Sequence, residues 1–196
     1  MNETYQRMVG YYQEGHWPWD SDLPPPEVIA VMADLPVGRA LDLGSGLGRA
    51  ARYMAQRGWQ VEAVDFVPQA IEIARSRSAE FSNINYHVGS IIELDFLEPG
   101  FDFALDVGCG HSLDSADLPQ YRDHLLRLLK PQALFLLYGR LRSPDMGADG
   151  PSGFDESALL TTFQQGFELS KVERGETTMG ENIWKSAWYW FVRSAE

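Results

Sequence analysis

The sequence predicts an α/β protein with a doubly wound, mostly parallel sheet and helices on both faces. From Arg39 onward, short apolar runs bounded by turn residues alternate with amphipathic stretches of helical spacing, which is typical of parallel strands joined by helices. A glycine-rich turn, residues 43–48, follows the first apolar run directly, and doubly wound sheets bind ligands at that end of their strands. The aromatic stretch at residues 182–193 is too close to the preceding run for a crossover helix. A parallel core that ends in an antiparallel hairpin is therefore expected.

Five apolar runs are predicted to form the parallel core strands. They are RALDL (39–43), WQVEAVD (59–65), INYHV (84–88), FDFALDV (101–107) and ALFLLYG (133–139). Helices are predicted where the apolar spacing changes to about 3.6 residues per turn. These stretches are EVIAVMADL (27–35), RAARYMAQRG (49–58), PQAIEIARSRSAEF (68–81), DLPQYRDHLLRLLK (117–130) and PSGFDESALLTTFQQGF (151–167).

The terminal hairpin is predicted from two further runs, FELSKVERG (167–175) and KSAWYWFVRS (185–194), joined by a loop over residues 176–184. The second run and the residues before it carry a dense group of aromatic side chains. At strand spacing these are expected to pack against helices on both faces of the sheet. They are Trp184, Trp188, Tyr189, Trp190 and Phe191.

Composition limits the classes of function. The 196 residues carry a formal net charge of -12 and an isoelectric point near 4.7, which disfavours binding to the phosphate backbone of nucleic acids. The single cysteine, Cys109, excludes an internal disulfide and is compatible with a reducing compartment. The N-terminus has no apolar signal region, and no run approaches the roughly 18 apolar residues that span a bilayer. We therefore expect a cytoplasmic protein of one domain without nucleic-acid or membrane partners. The sequence leaves the oligomeric state open, with a monomer favoured.

The glycine-rich turn and a strand-end acid together predict a nucleoside-containing cofactor. Gly44, Gly46 and Gly48 stand between the first strand and the first helix of the alternating pattern, so backbone N–H groups can approach a ligand closely there. Asp65 ends the second strand about 20 residues later, where a carboxylate can accept hydrogen bonds from both ribose hydroxyls.

The residue at position 49 discriminates between cofactors. The dinucleotide pattern G-x-G-x-x-G/A requires a small residue there, and this chain has Arg49. The spacing G-x-G-x-G, preceded by Asp42, instead resembles the first motif of the class I S-adenosylmethionine-dependent methyltransferases. Two alternatives remain open at this point, a NAD-dependent oxidoreductase and an S-adenosylmethionine-binding protein without turnover.

The resemblance extends from Arg39 to Arg193 and implies a seven-stranded sheet of order 3-2-1-4-5-7-6 with the last strand antiparallel. It implies that Asp42 and the Gly44 turn line the methionine part of S-adenosylmethionine, Asp65 holds the ribose, and Phe66 lies on the adenine. The implied cofactor-binding set is Trp19, Asp20, Asp42, Gly44, Ser45, Gly46, Asp65, Phe66, Ser90, Ile91, Asp106, Val107 and Gly108.

The segment before the first strand, PWDSDLPPP (18–26), resembles one that precedes the first motif in small-molecule methyltransferases of the thiopurine type. There it folds over the cofactor, so Trp19 is expected to close the site and Asp20 to anchor the segment. The indole ring is a rigid apolar plate whose face attracts a sulfonium cation. The alternative is that the tryptophans only fasten the N-terminus to the sheet. The expected single domain therefore has two parts. Residues 1–38 form the lid and N-terminal helices, and residues 39–196 form a Rossmann-like core.

The acceptor chemistry is predicted at DVGCGHSLD (106–114), which leaves the fourth strand at its carboxyl end. His111 is the predicted general base for a hydroxyl or a protonated amine, and Asp106 is predicted to orient the substrate or the base. A structural histidine and a turn-capping aspartate are the alternatives. No metal is assigned, because the remaining histidines lack metal-ligand spacing. The acceptor is expected to be a small molecule, and the sequence indicates neither its identity nor the atom methylated.

Overall fold

The structure is a computed structural model that describes residues 3–15, 17, 19–142, 152–179 and 182–195. The described residues form six α-helices and seven strands. The helices are α1 (Glu3–Glu14), α2 (Pro26–Asp34), α3 (Arg49–Ala55), α4 (Pro68–Arg77), α5 (Leu118–Leu128) and α6 (Glu156–Phe163). The strands are β1 (Arg39–Leu43), β2 (Gln60–Asp65), β3 (Ile84–Val88), β4 (Phe101–Val107), β5 (Leu129–Arg140), β6 (Phe167–Met179) and β7 (Asn182–Arg193).

The strands form one sheet in the order β3-β2-β1-β4-β5-β7-β6. β2 is parallel to β1 and β3, and β5 is parallel to β4. β7 is antiparallel to both of its neighbours, β5 and β6. The predicted fold class and strand order are confirmed. By internal contacts the chain divides into two compact units, residues 1–93 and 94–196.

In the first unit, β1 and β2 are buried along most of their length, and α3 and α4 pack against β2. The predicted inner face of α4 is confirmed, since Ile71, Ala74 and Ser78 are all buried. Ser78 tolerates burial because its hydroxyl pairs with the Tyr86 hydroxyl at 2.8 Å.

Helix α1, for which the sequence analysis assigned no bounds, also belongs to this unit. Its Tyr12 is 2% exposed and lies in an apolar cluster with Leu47, Val67 and Ala70, so the helix covers the glycine turn and the start of α4. The side chains of Met8 and Val9 pack against the same cluster, which places one face of α1 on it.

In the second unit, an aromatic cluster joins α6 to the hairpin. Phe163 of α6 stacks on Phe135 and Phe191 at ring-centroid distances of 5.8 and 5.0 Å. The prediction that the last strand packs against helices is correct for this face. On the other face Trp188 contacts Tyr138 of β5, and Lys171 of β6 lies over Trp190, so the described contacts there come from neighbouring strands.

Several element bounds differ from the predictions. The predicted loop over residues 176–184 is largely strand, because the β6–β7 pairing continues to Met179 and Asn182. Helix α6 begins only at Glu156, where the Asp155 carboxylate caps it by accepting the Ala158 N–H at 3.1 Å. β5 begins at Leu129, before the predicted residue 133. The composition of residues 140–154, rich in Gly, Pro and Ser, also predicts a loop that shapes the substrate pocket, and residues 143–151 of it lie outside the described residues. Within the described chain, no helix has the length and apolar character needed to cross a bilayer.

Candidate active site

The carboxylate of Asp65 holds the glycine-rich turn to the end of β2. One oxygen, Oδ2, accepts the Gly46 N–H at 2.9 Å, and the other, Oδ1, accepts the Val67 N–H at 2.9 Å. The start of the turn is tied to the same strand, because Gly44 N–H and Ser45 N–H both donate to the Val64 carbonyl. Burial raises the pKa of Asp65 to about 6, and the backbone N–H bonds oppose that rise. The predicted pairing of turn and acid is present, and the described hydrogen bonds of Asp65 support the turn.

The turn itself fits a nucleoside cofactor of the predicted kind. Ser45 is only 9% exposed, and its buried hydroxyl has no hydrogen-bond partner among the described residues. Such an atom is usually satisfied by a ligand or by ordered water. A side chain at Gly46 would approach the Tyr12 hydroxyl to 3.3 Å and the Trp19 Nε1 to 3.9 Å. The side chains of Tyr12 and Trp19 therefore lie directly against this glycine.

The N-terminal segment is fastened close to the turn by charged contacts. Asp20 forms an ion pair with Arg77 of α4 at 2.8 Å, and the Arg77 guanidinium lies 5.2 Å from the centre of the Trp17 ring. Arg49 donates from Nη1 to the Ser21 hydroxyl at 2.5 Å. Burial lowers the pKa of Arg49, while the negative charges of Asp42 and Asp20 oppose that change. Asp20 thus anchors the segment to α4, and the buried Asp42 lies within the electrostatic reach of Arg49.

Trp19 lies beside the turn in an aromatic group. Its ring meets Tyr11 edge to face at 5.3 Å and Tyr12 at 6.1 Å. These contacts suit both the lid and the fastening role that the sequence left open. Tyr12 was missed by the sequence analysis, although the spacing of Tyr5, Met8, Val9 and Tyr12 is the i, i+3, i+4, i+7 pattern of a helix face.

The predicted adenine-binding residues lie around the ends of β2 and β3. The Phe66 ring meets Tyr5 of α1 edge to face at 5.4 Å. Ile91 is buried, and the Ser90 hydroxyl accepts the Ile92 N–H at 3.4 Å, so Ser90 helps to close its own turn. Tyr5, like Tyr12, belongs to this neighbourhood without having been predicted.

Asp106 stabilises the turn that follows β4. The residue is 0% exposed, and its two oxygens accept the Cys109 N–H at 2.8 Å and the Gly110 N–H at 2.9 Å. The Tyr121 hydroxyl donates to Oδ2 at 2.8 Å. Burial raises the pKa of Asp106 to about 6, against the effect of these hydrogen bonds. Two residues after Asp106, the Gly108 N–H donates a hydrogen bond to the Tyr138 carbonyl of β5 at 3.0 Å. The described contacts of Asp106 are those of a turn cap, and Val107 and Gly108 lead from it into the turn.

His111 is carried by the short 3-10 turn Gly110–Ser112 that this cap supports. It is mostly buried, and the Phe154 ring meets it edge to face at 6.4 Å. Its Nε2 accepts hydrogen bonds from Arg140 at the end of β5, from Nε at 3.2 Å and from Nη2 at 2.9 Å. The Arg140 guanidinium in turn lies 4.9 Å from the centre of the Trp184 ring. Arg140 was not predicted, because no local pattern connects it to a histidine 29 residues earlier. Among the described residues no group of three potential metal ligands lies together.

This strand order, with a glycine turn after β1 and an acid at the end of β2, defines the class I S-adenosylmethionine-dependent methyltransferase fold. Residues 40–132 match a protein family described as a methyltransferase domain. The domain match and the strand order confirm the resemblance to class I methyltransferases that was predicted from the motifs.

Individual relatives agree with this class. The chain is 28% identical over 147 residues to a 2-heptyl-1-hydroxyquinolin-4(1H)-one methyltransferase of Mycobacteroides abscessus, covering 72% of this chain and 64% of that protein. It therefore spans less than two thirds of that relative's length. The fold matches N-methyltransferase NodS of Bradyrhizobium japonicum in complex with S-adenosylhomocysteine, with a TM-score of 0.80, 15% identity and 98% and 99% of the two chains covered. It also matches the Burkholderia thailandensis 1,6-didemethyltoxoflavin-N1-methyltransferase, with a TM-score of 0.76, 22% identity and 97% and 87% coverage.

Proposed function

We propose that this protein transfers a methyl group from S-adenosylmethionine to a small-molecule acceptor. The observation that carries the proposal is the Asp65 carboxylate, which links the Gly46 and Val67 N–H groups next to the buried hydroxyl of Ser45. The relatives named for a quinolone and for didemethyltoxoflavin support a small heteroaromatic or similar acceptor.

The cofactor side of the proposal assigns a role to each part of the first unit. Asp65 accepts hydrogen bonds from the ribose, and Phe66 covers one face of the adenine. Ser90 and Ile91 border the adenine edge. S-adenosylmethionine supplies an electrophilic methyl group on a sulfonium and leaves as S-adenosylhomocysteine. The remaining proposed contacts in this unit, with the methionine part and the sulfonium, come from Trp19, Asp42, Gly44, Ser45 and Gly46.

On the acceptor side we propose His111 as the general base. A hydroxyl gives up its proton to the imidazole as its oxygen bonds to the methyl carbon and the carbon–sulfur bond breaks, whereas a protonated amine gives up its proton first and then attacks with the freed lone pair. Uptake at Nε2 requires the Arg140 guanidinium to turn away, because Nε2 accepts two of its hydrogen bonds. Asp106 is proposed to act as a positioning residue that holds the turn carrying His111.

The test is calorimetric titration of the purified chain with S-adenosylmethionine, S-adenosylhomocysteine and NAD. We expect micromolar binding of the first two and none of NAD. Asp65→Asn should weaken that binding, whereas Glu62→Gln should leave it unchanged, because the Glu62 carboxylate on the same strand bonds to Asn85 and His87 instead. Binding of NAD alone would refute the proposal, and binding without methylation of any acceptor would favour a sensor.

We also propose that the protein acts in the cytoplasm as a monomer and does not bind nucleic acid. The net charge of -12 and the single cysteine support these assignments. Light scattering after size exclusion, with and without S-adenosylhomocysteine, tests the monomer. A gel-shift titration with single-stranded and duplex DNA should show no complex at physiological salt.

A further inference from the structure

Tyr121 of α5 is a buried residue that the mechanism proposed above does not use. Its hydroxyl donates to Oδ2 of Asp106 at 2.8 Å, and both residues are 0% exposed. The Tyr121 ring meets Phe135 of β5 and Phe163 of α6 edge to face, each at a centroid distance of 6.0 Å. The aromatic cluster therefore fixes the ring, and with it the position of the hydroxyl against the carboxylate.

The same Asp106 oxygen accepts the N–H of Gly110, the residue that begins the turn carrying His111. This hydrogen bond is 2.9 Å long. A side chain at Gly110 would lie 3.0 Å from that oxygen, 3.3 Å from Tyr121 Cε1 and 3.2 Å from Phe154 Cζ. The Phe154 ring also meets the His111 ring edge to face. The start of the turn is therefore enclosed by a carboxylate, a phenol ring and a phenyl ring.

The hydroxyl of Tyr121 stabilises the charged form of Asp106. A carboxylate only accepts hydrogen bonds, so the phenol is the donor while Asp106 is ionised. Burial, together with the negative charge of Asp106, raises the pKa of Tyr121 well above its ordinary value, so this donor keeps its proton. Among the described contacts of Asp106, the other titratable residue is Cys109, whose backbone N–H bonds to it. His111 follows on the same turn, and β5 places the apolar Leu137 opposite Asp106.

We infer that Tyr121 is a positioning residue for methyl transfer, which acts through Asp106 to hold the turn that presents His111. The inference rests on the methyltransferase function proposed above. While Asp106 is charged, both of its oxygens accept backbone N–H groups of the turn. A proton on Oδ2 takes away an acceptor from the Gly110 N–H and loosens the start of the turn. Because the phenol donates to that oxygen, it keeps the turn in the state with all of its hydrogen bonds.

The test compares two tyrosine-to-phenylalanine variants by NMR of the isotope-labelled chain without added ligand. Tyr121→Phe keeps the ring and removes the hydroxyl from Asp106. Tyr189→Phe is the matched control, since the Tyr189 hydroxyl donates to another carboxylate, that of Glu156, at 2.9 Å. The titration midpoint of the Asp106 carboxyl carbon, assigned with Asp106→Asn, should rise by about one pH unit in Tyr121→Phe and should not move in the control.

The turn is followed in the same samples at pH 7. In Tyr121→Phe, amide exchange of Cys109 and Gly110 should become several-fold faster, and the Hε1 resonance of His111 should shift. The cause is the larger fraction of the chain in which the capping carboxylate is protonated. The Gly46 amide, which donates to a different carboxylate, should keep its exchange rate.

A midpoint of Asp106 that stays or falls, unchanged exchange in the turn, an unmoved His111 resonance, or equal effects in the control would each overturn the inference. So would equally faster exchange at Gly46, since a general loss of stability would then explain the result. If Tyr121→Phe does not fold, the wild type supplies the test. Its Tyr121 hydroxyl proton should be resolved, protected from exchange and shifted with the Asp106 midpoint, and a rapidly exchanging proton would contradict the inference. None of these measurements uses cofactor, so the proposed function fails separately, if the chain does not bind S-adenosylhomocysteine.

Discussion

Two buried carboxylates organise the turns that follow β2 and β4. Asp65 and Asp106 each accept backbone N–H groups from the next turn, and burial raises the pKa of each to about 6. The cost of burying such a carboxylate is offset because it accepts hydrogen bonds from backbone N–H groups that would otherwise be unsatisfied. The same arrangement makes each turn sensitive to protonation close to neutral pH.

Cofactor affinity should therefore depend on pH through Asp65. Above about pH 6 the carboxylate is charged and accepts hydrogen bonds from backbone and ribose, whereas below it one oxygen carries a proton and becomes a donor. Binding that favours the charged form lowers the pKa of Asp65, so affinity for S-adenosylhomocysteine should fall as the pH is lowered from 7.5 to 5. The fall is about tenfold for each pKa unit by which binding lowers the value.

Calorimetry across this range measures the effect. Asp65→Asn should bind more weakly at pH 7.5 and show a flatter profile. An affinity that does not change with pH in the wild type, or an equal slope in the variant, would contradict this role.

Gly48 should not tolerate a side chain. It has φ +75°, and an added Cβ would lie 2.2 Å from the Tyr86 hydroxyl. Gly48→Ala should lower the free energy of unfolding by about 2–4 kcal/mol, through the left-handed backbone and the overlap. Urea unfolding measures this loss.

Gly10→Ala serves as the control, since nothing lies within 4 Å of its Cβ position in α1, and it should be neutral or slightly stabilising. Adding Tyr86→Phe to Gly48→Ala should recover part of the loss in a double-mutant cycle. If the free energy of unfolding changed no more in Gly48→Ala than in Gly10→Ala, the close approach of Tyr86 to Gly48 would be contradicted.

At the scale of elements, α1 and the segment after it form a layer over the glycine turn and α4. The layer is held by the apolar cluster around Tyr12 and by the Asp20–Arg77 ion pair. A partly exposed ion pair contributes at most about 1 kcal/mol, so the apolar contacts supply most of the attachment. A layer attached in this way can separate locally without unfolding the sheet.

Trp19→Ala should weaken S-adenosylhomocysteine binding while leaving the fold intact, because the indole Nε1 lies beside Gly46. We expect about a tenfold loss by calorimetry, which corresponds to roughly 1.4 kcal/mol. Trp17→Ala is the matched control, because Trp17 packs against the same apolar cluster but has Arg77 over its ring, and it should reduce affinity less. If Trp19 only fastens the N-terminus, both variants would lower thermal stability and leave affinity unchanged.

At the scale of the whole molecule, cofactor binding should stabilise the native state. At a concentration of S-adenosylhomocysteine about 100 times its Kd, the gain is about 2.7 kcal/mol. For a chain of 196 residues this raises Tm by roughly 5–10 °C. Differential scanning calorimetry checks the shift, with NAD as the ligand control and Asp65→Asn as the protein control. A Tm that does not move at saturating ligand would contradict cofactor binding by the native state.

The sequence by itself determined the features that are local in the chain. β1, β3 and β4 have the predicted bounds because each is a short apolar run between turn residues. The glycine turn follows the first strand of a β-α-β unit, and Asp65 ends the second strand of the same unit. Both were recognised because the distance along the chain between these two positions is regular in such units.

Only the tertiary structure decided which distant residues meet. Arg140, His111 and Trp184 come from β5, the turn after β4 and β7, and α1 reaches the glycine turn through Tyr12. Single arginines, histidines and tyrosines carry no periodic signal, so their pairing depends on how strands and helices are placed. The long hairpin was likewise decided by pairing, since residues 176–179, which were predicted to be loop, become strand once β7 supplies their partners. Local pattern therefore determined the elements and the glycine turn, and the assembled sheet decided which side chains surround the proposed base His111, because only folding brings them within hydrogen-bond distance.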